Sequence, residues 1–271
     1  MTSRAATPTR KQEEHQPRFT SWIAAAVLLV LATPISIASS LDPPAAIASA
    51  KASSVSVPLD SCPVSQADNG VRLSAGLGTE RTSTEIIRQG KRTSFGGRLV
   101  GPDGRGVPGG LICIYAGVTT EEANELEGIV ATDAQGRYEF LLPRGPSRNL
   151  TAVFRSGQGR LTAWGLLQVR AIPTLRFARG KVRNKHFVHF SGRIPGPHND
   201  RVVVVLQVKQ GKGWRVFRRY STRSGGRYRL KYRFTRTFRP TTYVFRAQVL
   251  GAPGYPYLSG NSKPRKLHVL P

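Results

Sequence analysis

The chain repeats itself. Laid on itself at an offset of about 95 residues, Arg88–Leu99 aligns with Arg183–Ile194, and Phe-x-Gly-Arg followed by an apolar residue recurs in register. Further on, Thr132-Asp133-Ala134-Gln135-Gly136-Arg137-Tyr138 matches Thr222-Arg223-Ser224-Gly225-Gly226-Arg227-Tyr228. Val153-Phe154-Arg155 then matches Val244-Phe245-Arg246. Three matches in one order, with small offset changes between them, mean that one unit is built twice. A unit of about 100 residues has the length of a β-sandwich domain and exceeds any solenoid repeat.

Inside each copy the period is two. Tyr228, Leu230, Tyr232 and Phe234 alternate with Arg227, Arg229, Lys231 and Arg233, which places rings toward a core and cations toward water. Tyr138, Phe140 and Leu142 alternate in the same way with Arg137, Glu139 and Leu141, and Tyr243, Phe245, Ala247 and Val249 form another inward row. Val202–Leu206 and Leu111–Tyr115 are apolar, β-branched-rich runs suited to central strands. Turn signals separate the runs: Pro102-Asp103-Gly104, Asp133–Gly136, Ser224–Gly226 and Gly251–Gly254. No stretch beyond the leader has helical periodicity, and Thr119–Glu127 is read as one short turn at most. The fold class is therefore all-β: two tandem immunoglobulin-like β-sandwiches at 66–171 and 172–271. The short junction Ala171-Ile172-Pro173-Thr174 implies an end-to-end arrangement with limited flexing.

Ahead of the sandwiches, a basic lead (Arg4, Arg10, Lys11, Arg18) precedes the apolar run Trp22–Ala32 and small residues that fit A-x-A cleavage sites at Ala46-Ile47-Ala48 and Ala48-Ser49-Ala50. Residues 1–50 thus read as a signal peptide with spacer, or as an uncleaved anchor helix over 22–38. Either reading sends the remainder outward, to a secreted or cell-surface location. Residues 51–65, part of an Ala-, Ser- and Pro-rich stretch, read as a linker.

The formal net charge of +26 is unevenly placed. Residues 51–170 hold 14 Lys/Arg against 11 Asp/Glu, whereas residues 171–271 hold 23 against Asp200 alone. Such a field attracts polyanions, and its plainer reading is a solvated basic surface. The 39% hydrophobic content excludes global disorder.

The two cysteines, Cys62 and Cys113, leave two readings open. In an exported chain a bridge would staple the leading segment to the first sandwich. The alternative is a buried free Cys113 in a core strand with an exposed Cys62. Two cysteines without convergent histidines make no zinc site.

The series Gly97-Arg98-Leu99, Gly106–Ile114, Thr132–Phe140 and Pro143-Arg144-Gly145 resembles carboxypeptidase regulatory-like, or transthyretin-like, domains. The second copy is similar to a divergent relative of the first. Together they resemble exported tandem immunoglobulin-like proteins of actinobacteria. The resemblance implies an accessory or structural role, sometimes with carbohydrate or protein binding at the cell surface, and brings no catalytic residues with it.

Chemistry is sparse. His186 and His189, three apart on an expected strand, should point to opposite faces and share no metal. His198-Asn199-Asp200 reads as a turn. Glu121, Glu122, Glu125 and Glu127 read as a solvated acidic loop without calcium-loop spacing. No G-x-S-x-G, P-loop or dinucleotide fingerprint occurs, so no catalytic, cofactor or metal residues are assigned. Trp164 and Trp214 are assigned to the core, with an exposed sugar platform as the alternative. Two functions follow from these readings. One is a non-catalytic extracellular or surface module for structure or adhesion. The other is polyanion binding (wall polymer, anionic lipid or polysaccharide) through Arg227, Arg229, Lys231 and Arg233. Nucleic acid is disfavoured by export. Other surface proteins are the remaining partner class, and membrane contact is assigned only to an uncleaved N-terminal segment.

Overall fold

Alternation of apolar and charged residues can be satisfied only by strands that bury one face, and strands are what form. The computed structural model describes residues 61–67, 70–121, 123–197, 199 and 201–271. The leader and anchor readings, over 1–50, fall outside these residues.

The first copy contributes β1 (Val64–Ser65), β2 (Arg72–Leu77), β3 (Thr84–Arg88), β4 (Ser94–Val100), β5 (Leu111–Val118), β6 (Glu125–Ala131), β7 (Arg137–Leu141), β8 (Arg148–Ser156) and β9 (Gly159–Arg170). The second contributes β10 (Arg176–Phe177), β11 (Lys181–Arg183), β12 (Phe187–Arg193), β13 (Val203–Gln210), β14 (Gly213–Ser221), β15 (Arg227–Arg233), β16 (Thr241–Val249), β17 (Gly260–Asn261) and β18 (Arg265–Leu270). Ser224–Gly226 forms a 3-10 turn ahead of β15.

In the first copy a sheet ordered β3-β9-β8-β5-β6 faces the sheet β2-β4-β7, and in the second β11-β18-β16-β13-β14 faces β10-β12-β15. The two orders correspond strand for strand. Even the exceptions repeat: β3 pairs β9 in parallel, and β11 pairs β18 in parallel. Each copy is an immunoglobulin-like sandwich with a core between its sheets.

The repeated motif is a repeated clamp. Tyr138 and Tyr228 lie buried, and each hydroxyl donates to a backbone carbonyl of the neighbouring strand segment, that of Ser74 and Thr174 respectively. Those carbonyls pass directly beside Gly97 and Gly192, where a Cβ would lie 1.9 Å and 2.0 Å from them. The next residue closes the other end: Arg98 Nε donates to the Gln135 carbonyl at 2.8 Å, and Arg193 Nε to Gly225 at 2.7 Å. Gly136 and Gly226 have positive φ (+71° and +68°), which L side chains rarely adopt, and their carbonyls receive the Leu99 and Ile194 amides. Thr132 and Thr222 are buried in equivalent roles, each donating to a loop carbonyl (Val107, Asn199) while accepting the amide that opens β5 or β13. Phe-x-Gly-Arg and Thr-x-x-x-Gly-x-Tyr thus form one hydrogen-bonded device, made twice.

Ser61–Ser65, assigned to the linker by the sequence, lie on the first sandwich. Cys62 and Cys113 are disulfide-bonded, with Cα atoms 5.8 Å apart. Cys113 does not face the main core. It alternates with Ile112 and Ile114, so it points to the outer face of its sheet, where Cys62, Tyr115 and Val153 form a small second cluster with Leu126 against it. Arg155 Nη1 donates to the Cys62 carbonyl at 3.0 Å, and Leu111 N donates to Ser65 Oγ at 3.1 Å.

Two further segments depart from the sequence expectation. Trp164 is 67% exposed rather than in the core. Ala163, Gly165 and Leu167 take the inward phase of β9, which turns Trp164 out with Thr162. Glu125 and Glu127 belong to β6 rather than to an acidic loop, and Glu127 ion-pairs with the buried Arg148 at 3.2 Å.

The sandwiches fall in one compact unit. The loop after β16 runs back onto the first copy: Leu258 N donates to Val169 O at 2.9 Å, Ala171 N to Leu258 O at 3.0 Å and Ser147 N to Pro256 O at 2.8 Å. Tyr255 and Tyr257 are buried in this joint, and one apolar cluster runs through Ala171 and Leu175 from copy to copy.

Candidate functional site

The β10-β12-β15 sheet is where the charge of the second copy becomes a surface. Val188 and Phe190 of β12 and Tyr228 and Leu230 of β15 are buried against the opposite sheet. Phe190 packs edge-on to Phe177 (5.3 Å between centroids) and Phe245 (5.0 Å), and Phe217 packs on Tyr232 at 4.7 Å. With the rings locked inside, the alternate residues must face out.

Register sets their neighbours. On the outer face Phe187 stands opposite Arg233, His189 opposite Lys231, Ser191 opposite Arg229, and Arg193 opposite Arg227. Arg176 of β10 stands opposite Ser191 on the other side. Alternate residues along a strand repeat at about 6.8 Å and neighbouring strands lie about 4.8 Å apart, so the cations form a two-dimensional array. Lys231 Nζ lies 3.9 Å from the Phe187 ring centroid, and the Arg233 guanidinium carbon 5.5 Å from it.

The structure thus brings Arg227, Arg229, Lys231 and Arg233 onto one face, and adds Arg176, Arg193 and Phe187, which the sequence reading did not single out. Arg176 belongs to a two-residue strand whose pairing is long-range, so no local pattern marks it. A shallow trough of about 890 Å³ follows the face, bounded by Arg176, His189, Arg193, Arg223, Arg229 and Lys231. A second, of about 730 Å³, joins it at His189 and includes His186 and Phe187.

His186 and His189 therefore line one trough, against the opposite-face expectation. His186 precedes the strand in a turn where Lys185 has φ +62°, and strand alternation does not extend to it. No cluster of three metal-ligating side chains occurs among the described residues.

Electrostatically the face is open. The ion pairs among the described residues, Arg81–Glu139, Arg105–Asp103 and Arg148–Glu127, all belong to the first copy. Among the described residues no Asp or Glu lines either trough, and Asp200, the one carboxylate of residues 171–271, lies outside them. The Tyr228 hydroxyl at the trough floor has its pKa pushed up by burial, so it remains a neutral donor to Thr174. Chemically the described residues of this face offer cationic donors and no carboxylate base.

The opposite sheet behaves differently. Trp214 is covered by Arg246, whose guanidinium carbon lies 4.3 Å from the ring and whose Nε donates to Gln207 Oε1 at 2.7 Å. Trp214 is therefore half-buried on the outer side of its sheet rather than in the core, and it is no open platform.

No known protein family's sequence profile matches the chain, and no curated protein matches it. Among solved structures, the D0-D1 domain of intimin is similar at 11% identity over 67% of this chain and 93% of that one, with a TM-score of 0.27. The titin A168169 structure is similar at 9% identity, 73% and 97% coverage and TM-score 0.37. Invasin, a bacterial integrin-binding protein, is similar at 12% identity, 71% and 38% coverage and TM-score 0.36. Likenesses of this size assign no family and transfer no function.

Proposed function

We propose that the chain is a non-catalytic extracellular or cell-surface module for structure and adhesion, whose second sandwich holds an anionic polymer along the outer face of β10-β12-β15. One observation carries the reading: strand register gathers Arg176, Arg193, Arg227, Arg229, Lys231 and Arg233 on one solvated face with no carboxylate among the described residues. The backbone of a sheet face is rigid, so an extended polymer meets charges rooted at preset spacings. The export pattern of residues 1–50 supplies the location, and cell fractionation with N-terminal sequencing of the mature protein tests that part.

Binding is tested with heparin and with a single-stranded oligonucleotide as defined probes. About six charge contacts give a log–log salt slope near −4 on the single-strand coefficient, or a loss of about 300-fold between 50 and 200 mM salt. Reversal of Arg229, Lys231 and Arg233 to Glu should abolish binding. Absence of binding by the parent at 50 mM salt removes the proposal.

A second reading rests on β15 being the edge strand of its sheet. Charges on an exposed edge prevent edge-to-edge pairing between copies. Under that reading Glu replacements keep the protein monomeric and neutral ones associate, with no polymer bound in either case.

A further inference from the structure

We propose that the end of the second sandwich remote from the first docks onto an anionic lipid surface, with Phe187 and Phe238 entering the interface. The inference uses the end of the sandwich, which shares Phe187 and Arg233 with the polymer-binding face, and it stands if that face binds no polymer.

Three connections meet at this end. Phe187 and Arg233 are the last register pair of β12 and β15. The turn before Phe187 is tied to the loop after Arg233, because Lys185 N donates to the Phe234 carbonyl at 2.6 Å. The hairpin joining β13 to β14 closes at Gln210 and Gly213, at the end of the opposite sheet where β16 begins. The loop from Phe234 to Pro240 is held rather than loose. Thr237 is buried with its hydroxyl 3.3 Å from that of Tyr243, Thr241 Oγ1 donates to Arg239 O at 2.8 Å, and Phe234 stacks on Tyr243 at 5.2 Å. With Thr237 turned in, Phe238 is turned out.

Phe238 is 80% exposed and Phe187 53%. A single exposed phenylalanine needs no explanation. Two at one end, interleaved with Lys185, Arg233, Arg236, Arg239 and Lys212, make an arrangement that suits one surface. Rings enter the headgroup–acyl boundary while cations meet lipid phosphates. The cations select an anionic partner. The phenylalanines stand on projecting connections rather than inside a groove, which favours a broad, deformable partner over a small ligand.

The test uses the full chain on vesicles of phosphatidylcholine alone and of phosphatidylcholine with 30% phosphatidylglycerol. Every variant is compared with the parent, so any contribution of residues 22–38 cancels. Phe238→Ser should lose about tenfold in partitioning onto anionic vesicles. It should keep parental heparin affinity, which also shows that it folds. Arg227→Glu with Arg229→Glu should do the converse, losing heparin and keeping most vesicle binding. Phe238→Trp should blue-shift its emission on anionic vesicles only. Equal partitioning of Phe238→Ser and the parent, or a Phe238→Trp emission unmoved by anionic vesicles, overturns the inference. Loss of heparin binding alone strikes the polymer-binding face and leaves this inference in place.

Discussion

Replacing Gly192 by alanine tests the clamp at its tightest point. The new Cβ would lie 2.0 Å from the Thr174 carbonyl oxygen, 2.3 Å from the Tyr228 hydroxyl and 2.4 Å from its Cζ. None of these atoms is the free end of a flexible chain. The carbonyl belongs to the backbone leading into β10, and the phenol is buried beneath the cationic sheet. Relief requires β10 or Tyr228 to move, and either motion breaks the Tyr228–Thr174 hydrogen bond. Overpacking costs about 1–3 kcal/mol and a broken buried hydrogen bond about 1–3 kcal/mol more, so the expected loss is about 2–6 kcal/mol. Urea denaturation followed by tryptophan fluorescence in a Trp164→Phe background measures it. At an m-value of about 2 kcal/mol/M the midpoint should fall by about 1–3 M with m unchanged. Tyr228→Phe alone should lose about 1 kcal/mol, and the double variant less than the sum, because both changes remove the same bond. Gly97→Ala should act alike on the first sandwich. Stability of Gly192→Ala within 0.5 kcal/mol of the parent refutes the clamp, since an alanine accepted there means that the strand does not pass where it is drawn.

Two other outcomes follow from the same structure. Cys62→Ser with Cys113→Ala opens a loop of 51 residues, worth about 4 kcal/mol on the chain-entropy account. The first sandwich should melt lower by that margin while heparin affinity, set by the second, stays parental. Burial raises the Tyr138 and Tyr228 pKa values above the ordinary 10.0. A raised folded-state pKa means that the folded protein holds protons the unfolded one releases, so this stability is complete below pH 10 and declines as pH rises beyond it. Tyr228→Phe should flatten the alkaline limb of a stability-against-pH curve, and an unchanged limb would count against burial of that hydroxyl.

The architecture was legible because the repeat and the period-two rows are consequences of burial. Tyr228 and Leu230 face in for the same reason that Arg227 and Arg229 face out. What escaped the sequence depends on contacts between distant segments. Trp164 looked like core until strand phase placed Ala163 and Gly165 inward. Glu127 looked solvated until Arg148, on another strand, needed a partner. Cys113 lay in an apolar run but on the outer side of its sheet, a distinction fixed by what the Cys62 segment covers. The candidate face was half legible: β15 announces four cations by itself, whereas Arg176 and Phe187 join them only through pairing.

A face of unpartnered cations repels itself, and that repulsion gives the last prediction. Neighbours on the array stand about 5–7 Å apart, inside the Debye length of about 10 Å at 0.1 M salt and outside the 3 Å reached at 1 M. Each such pair costs some tenths of a kcal/mol near a solvated surface, and no carboxylate among the described residues of the trough offsets it. Salt should therefore stabilise the second sandwich, raising its melting temperature between 0.02 and 0.5 M NaCl. A bound polyanion should stabilise it further at low salt, by RT ln(1 + [L]/Kd). The first sandwich, with three ion pairs and near-balanced charge, should respond little. A flat salt response in the second sandwich would mean that its cations are not held side by side. The charge would then be diffuse basicity, and the proposed site would lose its physical basis.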